Sequence, residues 1–271
     1  MIDEALPGDI QAWEELVVVK LGGTTMADND PVLAEVAAAV GRRSLVLVHG
    51  GGKRLNDWLA RLDVKSRFED GLRVTDDGTL EVALAVFGGL VNGELVAALS
   101  RVGVPAVGLT GIDGGLLVAE RAVGLGRVAR VVGARPAPLY ALIAGGLLPV
   151  VAPLALDEGG VICNVNADEV AAGLAGAMSA RLVLLTDTDG VLDAAGQPLA
   201  TLDELSAEQL MAEGVIRDGM LPKVRGALAA LRSGATEVVI ADGRAPRALA
   251  RALDHEGFGT RIRLASADVE A

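Results

Sequence analysis

The sequence predicts an α/β fold, a three-layer α/β/α sandwich on a mainly parallel central sheet, and three observations carry that reading. Short apolar runs alternate along the chain with longer amphipathic stretches, the pattern of strand–helix units whose sheet is covered on both faces. Two of those runs, residues 16–19 and 45–48, close on glycine-punctuated turns, Lys20-Leu21-Gly22-Gly23 and His49-Gly50-Gly51-Gly52. A chain of 271 residues with 51% hydrophobic content also has the material for one large domain or two tightly joined lobes.

In chain order, strands are expected at 16–21, 45–48, 104–109, 148–152, 181–186, 236–240 and 260–264, each a short apolar run bounded by polar or turn-forming residues. Helices are expected at 31–41, 51–62, 78–101, 137–146, 167–179, 204–213, 221–233 and 245–253, the longer amphipathic stretches. Two segments depart from the alternation. Residues 114–132 alternate apolar and charged positions with frequent glycine, which fits a β-hairpin excursion. Asp189-Gly190 and Ala195-Gly196 bracket a second, tight hairpin. No linker rich in Pro, Ser or Gly divides the chain, so the two lobes, 1–180 and 181–271, are expected to share one sheet with a seam near residue 180.

Composition excludes some classes of function. A net charge of −12 and 2% aromatic residues argue against nucleic acid, which calls for a basic face and stacking rings. An acidic surface does not attract anions globally, so any positive field must come from a few placed lysines, arginines and helix N-termini. Cys163 is the lone cysteine, which excludes an intramolecular disulfide and suits a reducing, cytoplasmic setting. The first fifteen residues hold acidic residues and no basic ones, unlike a targeting peptide, and no uninterrupted apolar stretch reaches membrane-spanning length.

The two glycine turns imply backbone amide cradles, because glycine lets the main chain approach a ligand closely and converge its N–H groups on phosphate or carboxylate oxygens. Neither is a common nucleotide fingerprint. Gly50-Gly51-Gly52-Lys53 runs into Arg54 where a Walker loop needs a hydroxyl, and Gly22-Gly23 runs into Thr24-Thr25-Met26 where a dinucleotide motif needs further glycine. Lys20, near a strand's C-terminal end, either snorkels to solvent or faces a ligand at the edge where open α/β sheets bind them. Asn164-Val165-Asn166-Ala167-Asp168 holds more polar side chains than a helix cap needs. Lys223 opens a helix, where the dipole opposes a cation unless an anion lies there. Arg73, in Gly71-Leu72-Arg73-Val74-Thr75-Asp76, is either a solvated charge or a carboxylate clamp. The acidic turn after 184–186 can line a nucleotide pocket or simply form the hairpin. His49 is expected to brace its turn, His255 to be exposed and Cys163 to be a packing residue.

Taken together and in this order, Lys20-Leu-Gly-Gly, His49-Gly-Gly-Gly, Gly71-Leu-Arg-Val-Thr-Asp, Asn164-Val-Asn-Ala-Asp and Gly219-Met-Leu-Pro-Lys resemble the acetylglutamate kinases of the amino-acid kinase family, over about residues 16–264. The resemblance implies the amino-acid kinase fold and ATP-dependent phosphorylation, with Mg2+, of the side-chain carboxylate of N-acetyl-L-glutamate in arginine biosynthesis. It assigns Lys20 and Lys223 to the transferring phosphoryl group and Asp168 to orienting them. Gly51, Gly52, Arg73, Asn164 and Asn166 would bind the substrate. Gly22, Gly23, Asp187, Thr188, Asp189, Gly190, Val191, Leu192, Val215, Ile216 and Arg217 would bind ATP, and no residue is assigned to a protein-held metal. By the same resemblance the N-terminal lobe binds acetylglutamate and dimerises, and the C-terminal lobe binds ATP. Lys53, Ile112 and Asp218 depart from frequent family residues. Arg251 stands about where arginine-inhibited relatives carry an acid, which points to an arginine-insensitive homodimer. The alternatives are a kinase of carrier-protein-linked aminoadipate or glutamate, and a non-catalytic arginine-sensing module of the same fold.

Overall fold

The computed structural model describes residues 15–22, 31–69, 72–254 and 257–264. The chain opens with β1 (Leu16–Leu21), α1 (Pro31–Val40), β2 (Ser44–His49) and α2 (Gly52–Arg61). A small antiparallel hairpin follows, β3 (Arg67–Glu69) and β4 (Leu72–Val74). The expected long helix is one continuous rod, Asp77–Arg101, made of α3 (Asp77–Ala83), a π-helical segment (Leu84–Val91) and α4 (Asn92–Arg101). Then come β5 (Ala106–Thr110), β6 (Leu117–Arg121), β7 (Val128–Ala134), α5 (Ala137–Ala144), β8 (Leu148–Ala152), β9 (Leu154–Asp157), β10 (Ile162–Val165) and α6 (Ala167–Ala177). The last third holds β11 (Arg181–Thr186), β12 (Thr201–Asp203), α7 (Glu204–Ala212), α8 (Met220–Arg232), β13 (Glu237–Asp242), α9 (Ala248–Asp254) and β14 (Thr260–Arg263).

One eight-stranded sheet, in the order β12-β14-β13-β11-β1-β2-β8-β5, runs through the molecule. From β13 to β5 every pairing is parallel; β14 runs antiparallel to β13. The expected excursion at 114–132 is the β6–β7 hairpin, and β9 and β10 close it into a four-stranded barrel. The second hairpin is present too, with Asp193 N donating to Gln197 O and Leu199 N to Val191 O. The barrel's β9 and β10, the β3–β4 hairpin and β12 are short strands that the apolar pattern alone does not mark. β9 pairs with β10, β3 with β4 and β12 with β14, each over three residue pairs.

Alternation along the central strands sorts the side chains between two buried faces, as it must in a sheet covered on both sides. Val18, Val46, Val48, Val151, Leu182 and Leu184 pack against Leu174 of α6 and Leu228 and Leu231 of α8. Val17, Val19, Leu47, Val150, Val183 and Leu185 pack against Val36 of α1, Leu95 and Leu99 of α4 and Leu249 of α9. That parity decides where two later residues point. Lys20 shares the face of Val18, under α6 and α8, and His49 shares the face of Leu47, under α4. A third cluster, Leu55, Leu59, Val86, Phe87, Val91 and Leu154, joins α2 and the π-helical segment to the barrel.

The rod Asp77–Arg101 has 25 residues and a mean hydropathy of 1.9 over its most apolar window, long and apolar enough to cross a membrane. The expectation concerned uninterrupted apolar stretches, and the rod is not one of these. Asn92, Glu81 and Glu94 interrupt the apolar run in sequence but not the helix. In this fold Val86, Phe87, Val91, Leu95 and Leu99 of the rod are buried in the protein core.

The face that holds α6 against α8 depends on small residues. A Cβ added at Gly176 would lie 2.7 Å from Ser233 Cβ and 3.3 Å from Ala230 O, neither of which is the end of a flexible side chain. At Gly226, in α8, a Cβ would meet nothing within 4 Å. Both changes to alanine gain helix propensity, about 1 kcal/mol, but Gly176→Ala also overpacks a contact at a cost of about 1–3 kcal/mol. Urea denaturation is expected to show Gly226→Ala at or above wild-type stability and Gly176→Ala below it, with unchanged slopes; the reverse order would contradict this packing.

Candidate active site

The parallel strands all end on the same edge, and the residues singled out in the sequence line up along it. In spatial order the edge carries the ends of β13, β11, β1, β2 and β8. The two glycine turns are neighbours because β1 and β2 pair, Leu21 beside His49, and Gly50 N donates to Leu21 O at 3.3 Å. Gly22 is pressed against the next strand, since a Cβ there would sit 3.0 Å from Leu185 O. Gly51 adopts φ 145°, a conformation that favours glycine, and Gly52 opens α2. The first N–H groups of α2 have no intrahelical acceptor and carry the positive end of its dipole. Gly23 lies outside the described residues.

Lys20 and Lys223 meet on one carboxylate. Lys20 Nζ lies 2.8 Å from Asp168 Oδ1, and Lys223 Nζ donates to Asp168 Oδ2 at 2.8 Å. The Lys20 contact is a close ion pair that lets the ammonium compensate Oδ1. All three side chains are four-fifths buried or more. Lys20 arrives from the C-terminal end of β1, Asp168 from the first turn of α6 and Lys223 from the first turn of α8. Burial disfavours ionisation of Asp168, but the two ammonium groups outweigh it and hold its carboxyl below the usual carboxylate range. Asp168 is therefore an anion at neutral pH. Two cations on one anion, with two helix N-termini beside them, leave a local positive charge in a chain whose net charge is −12.

Asp168 also gives a structural reason for a lysine at the start of α8, which the helix dipole alone disfavours. Asn166 uses its side-chain oxygen as the cap of α6, accepting from Asp168 N at 2.8 Å. That bond fixes the backbone from which Asp168 projects.

Arg73 and Asn164 are joined through a residue between them. Asn164 Nδ2 donates to Thr75 Oγ1 at 3.2 Å, and Thr75 Oγ1 donates to Arg73 O at 3.0 Å. Thr75 is fully buried and its backbone is stitched to the β6–β7 turn, by Thr75 N to Leu125 O and Arg127 N to Thr75 O. The Arg73 guanidinium donates to Ser66 Oγ and to Asn56 Oδ1 and lies 4.5 Å from the Phe68 ring centroid. Burial lowers its pKa from the usual arginine value.

On the other side of β1, Asp187, Thr188 and Asp189 are exposed beyond β11, while Val191 and Ile216 are buried in the core. What Val191 and Ile216 present to the edge is therefore backbone, not side chain. Val215 is half-buried, Leu192 is exposed, and Arg217 pairs at 3.8 Å with Asp218. Asp218 itself adopts φ 48°, which is why glycine suits that position. Gly190 adopts φ 137° against Thr260, whose hydroxyl accepts from Val191 N at 2.8 Å and donates to Leu199 O at 2.6 Å. Arg244 Nη2 donates to Asp187 O at 2.6 Å. Arg244 and Asn92 lie in no motif that the sequence marks and are recognised only by what they touch; Thr260 ends the Gly257-Phe258-Gly259-Thr260 run, whose part in holding this turn the sequence does not show. His49 does brace its turn, with Nδ1 2.7 Å from Gly50 O, and Cys163 is a buried packing residue. His255 lies outside the described residues. Among the described residues no three His, Cys, Asp or Glu side chains converge as a metal site.

The chain is similar to known kinases in both sequence and shape. It is 45% identical over 252 residues to the acetylglutamate kinase of Solibacter usitatus, covering 91% of this chain and 98% of that one. It is 40% identical to the acetylglutamate kinase of Gluconacetobacter diazotrophicus, covering 97% and 90%. Among solved structures, N-acetylglutamate synthase from Neisseria gonorrhoeae, complexed with coenzyme A and N-acetyl-glutamate, aligns with a TM-score of 0.80 at 26% identity, over 93% of this chain and 60% of that one. Carbamate kinase from Giardia lamblia shares the fold at a TM-score of 0.65 and 16% identity, over 92% and 98%. The model of the amino acid kinase family matches residues 15–242; the sheet, the glycine edge and the paired lysines thus stand in a chain that belongs to the amino acid kinase family.

Proposed function

We propose that this chain transfers the γ-phosphoryl group of ATP to the side-chain carboxylate of N-acetyl-L-glutamate, the acyl phosphate being a step of arginine biosynthesis. The observation that carries the chemistry is the pair of ammonium groups held on Asp168. The choice of substrate is supported by relatives named acetylglutamate kinase at 40–45% identity over nearly the whole chain. A carboxylate is already nucleophilic, so the reaction needs no general base. Its obstacle is bringing two anions together and spreading charge over an in-line transition state.

In this reading the substrate carboxylate and the γ-phosphate meet at the sheet edge. Lys20 approaches from β1 and Lys223 from α8, and the Gly51 and Gly52 amides face the phosphoryl or carboxylate oxygens. Asp168 keeps the two ammonium groups apart at fixed positions when no substrate is bound and stays ionised throughout. Arg73 and Asn164 hold the non-reacting end of acetylglutamate, with Asn166 setting the start of α6. ATP lies toward residues 187–192 and 215–217, in the lobe 181–271, and acetylglutamate in the lobe 1–180. Mg2+ bound with ATP would neutralise phosphate charge; Asp168 is committed to two lysines, and among the described residues no three His, Cys, Asp or Glu side chains converge to hold the ion. We place the enzyme in the cytoplasm, in keeping with its lone, buried cysteine.

The homodimer is part of the same proposal. Trp58 of α2 and Leu62 just after it, with Val82, Ala85, Gly89 and Leu90 of the rod, line an apolar groove on the surface. At the opposite end of the chain Arg251 stacks on Phe258, 3.9 Å from the ring centroid, instead of offering an acid to arginine. Light scattering is expected to give twice the chain mass, and arginine at modest concentration to leave the rate unchanged; a hexamer or arginine inhibition would contradict this.

A direct assay with acetylglutamate, glutamate, aspartate, carbamate and UMP is expected to give turnover with the first alone. Lys20→Ala and Lys223→Ala should each lower kcat by about 100- to 1000-fold, the scale of one lost transition-state donor of roughly 2.7–4 kcal/mol. A raised KM with kcat unchanged would exclude their assigned role. Arg73→Lys should raise the KM for acetylglutamate about tenfold, through loss of the planar fork, and leave the KM for ATP alone. Equal weakening toward both substrates would misplace Arg73.

A further inference from the structure

Beneath the second glycine turn lies a buried polar network that phosphoryl transfer does not itself require. His49, fully buried at the end of β2, places Nδ1 2.7 Å from Gly50 O and Nε2 3.1 Å from Asn92 Nδ2. Asn92 is 4% exposed, and the same Nδ2 reaches Val150 O at 3.0 Å and Leu109 O at 3.3 Å. These partners fix the protons. Two backbone carbonyls accept only, so the amide nitrogen of Asn92 faces them; its two hydrogens are shared among those oxygens and His49 Nε2, which must accept because an amide nitrogen only donates. Gly50 O likewise only accepts, so the imidazole is neutral and carries its proton on Nδ1. Burial is consistent with this, lowering the His49 pKa from 6.5 to about 4 against the opposing effect of the Gly50 bond.

The surroundings are cut to fit Asn92. It follows the π-helical segment, and its own N–H bonds to Phe87 O, five residues back, so the extra residue of the π turn sets the direction in which Asn92 projects. On β5 a Cβ at Gly108 would lie 1.9 Å from Asn92 Oδ1. Above it, a Cβ at Gly51 would lie 3.1 Å from the Phe87 ring and 3.3 Å from Val91 Cγ2. The turn therefore rests directly on the π segment, with Asn92 one residue beyond.

We propose that His49 and Asn92 are positioning residues for the glycine turn, Asn92 selecting the His49 tautomer that holds Gly50 O inward and so turns the Gly51 amide outward to the anionic substrate. The peptide plane supplies the link. In a trans peptide the Gly50 carbonyl and the Gly51 N–H point in opposite directions, so anchoring one aims the other. This inference rests on the acetylglutamate kinase reading for the identity of the anion, whereas the tautomer is independent of it.

Two measurements test it. The chain has two histidines, so the imidazole 15N signals of His49 are assignable by comparison with His255→Gln. The wild type is expected to show the neutral Nδ1–H form between pH 6 and 8, and an Nε2–H or protonated His49 there would overturn the proposal whether or not any variant folds. In kinetics, His49→Leu should raise the KM for acetylglutamate about tenfold, the scale of one lost hydrogen bond, with the KM for ATP within about twofold. His49→Asn, whose Nδ2 can replace Nδ1 as donor, should recover most of it. Asn92→Ala should shift the acetylglutamate KM in the same direction and admit the Nε2–H form. Unchanged or equally raised KM values in folded His49→Leu would overturn the proposal, while a wild type that does not turn over acetylglutamate would remove the reading on which it rests.

Discussion

One carboxylate shared by two ammonium groups is the constraint around which this structure is arranged. Burying Lys20 and Lys223 side by side would be costly in the absence of an anion, because desolvation and mutual repulsion both oppose it. Asp168, 2.8 Å from each, makes the arrangement tolerable, and its own burial is tolerable for the same reason. The cap of Asn166, the packing of α6 on α8 through Gly176 and the parity of β1 all serve to bring those three groups to one point.

The rest of the site is built by similar economy of contact. Two glycine turns sit side by side because their strands pair, and each is glycine where a Cβ would meet a backbone oxygen or an aromatic ring. Beyond them, the β3–β4 hairpin and the small barrel are tied together by Thr75, which joins Arg73 to Asn164 across 89 residues of separation from its barrel partner. On the nucleotide side Thr260 holds the turn at Gly190 in place from the last strand. Rigid elements thus set the positions, and the loops carry the groups that would touch ligand.

Much of this was legible in the amino-acid order. The central strands and their helices fall close to the expected positions, because a sheet buried on both faces requires continuous apolar runs and those runs stand out. The short strands did not, since a three-residue pairing such as Thr201–Asp203 leaves no periodic trace. The motif residues Lys20 and Lys223 were visible as chemistry out of place, a lysine ending an apolar strand and another at the wrong end of a helix dipole, and Asp168 as part of a polar cluster larger than a helix cap needs. Asn92 was invisible, an asparagine within an apolar helical run whose partners, His49, Val150 and Leu109, lie far away in sequence.

By itself, then, the order of residues determined the layered α/β class, the glycine turns and the motif set of the family. These are local properties, written in periodicity, backbone freedom and side-chain chemistry. Only the tertiary structure decided that two lysines 203 positions apart share Asp168, that β6, β7, β9 and β10 close into a barrel, and that a π-helical turn delivers an amide to His49. Those outcomes depend on long-range packing, in which a crossing helix or a strand pairing, not any neighbour in the chain, sets which groups come within hydrogen-bond reach.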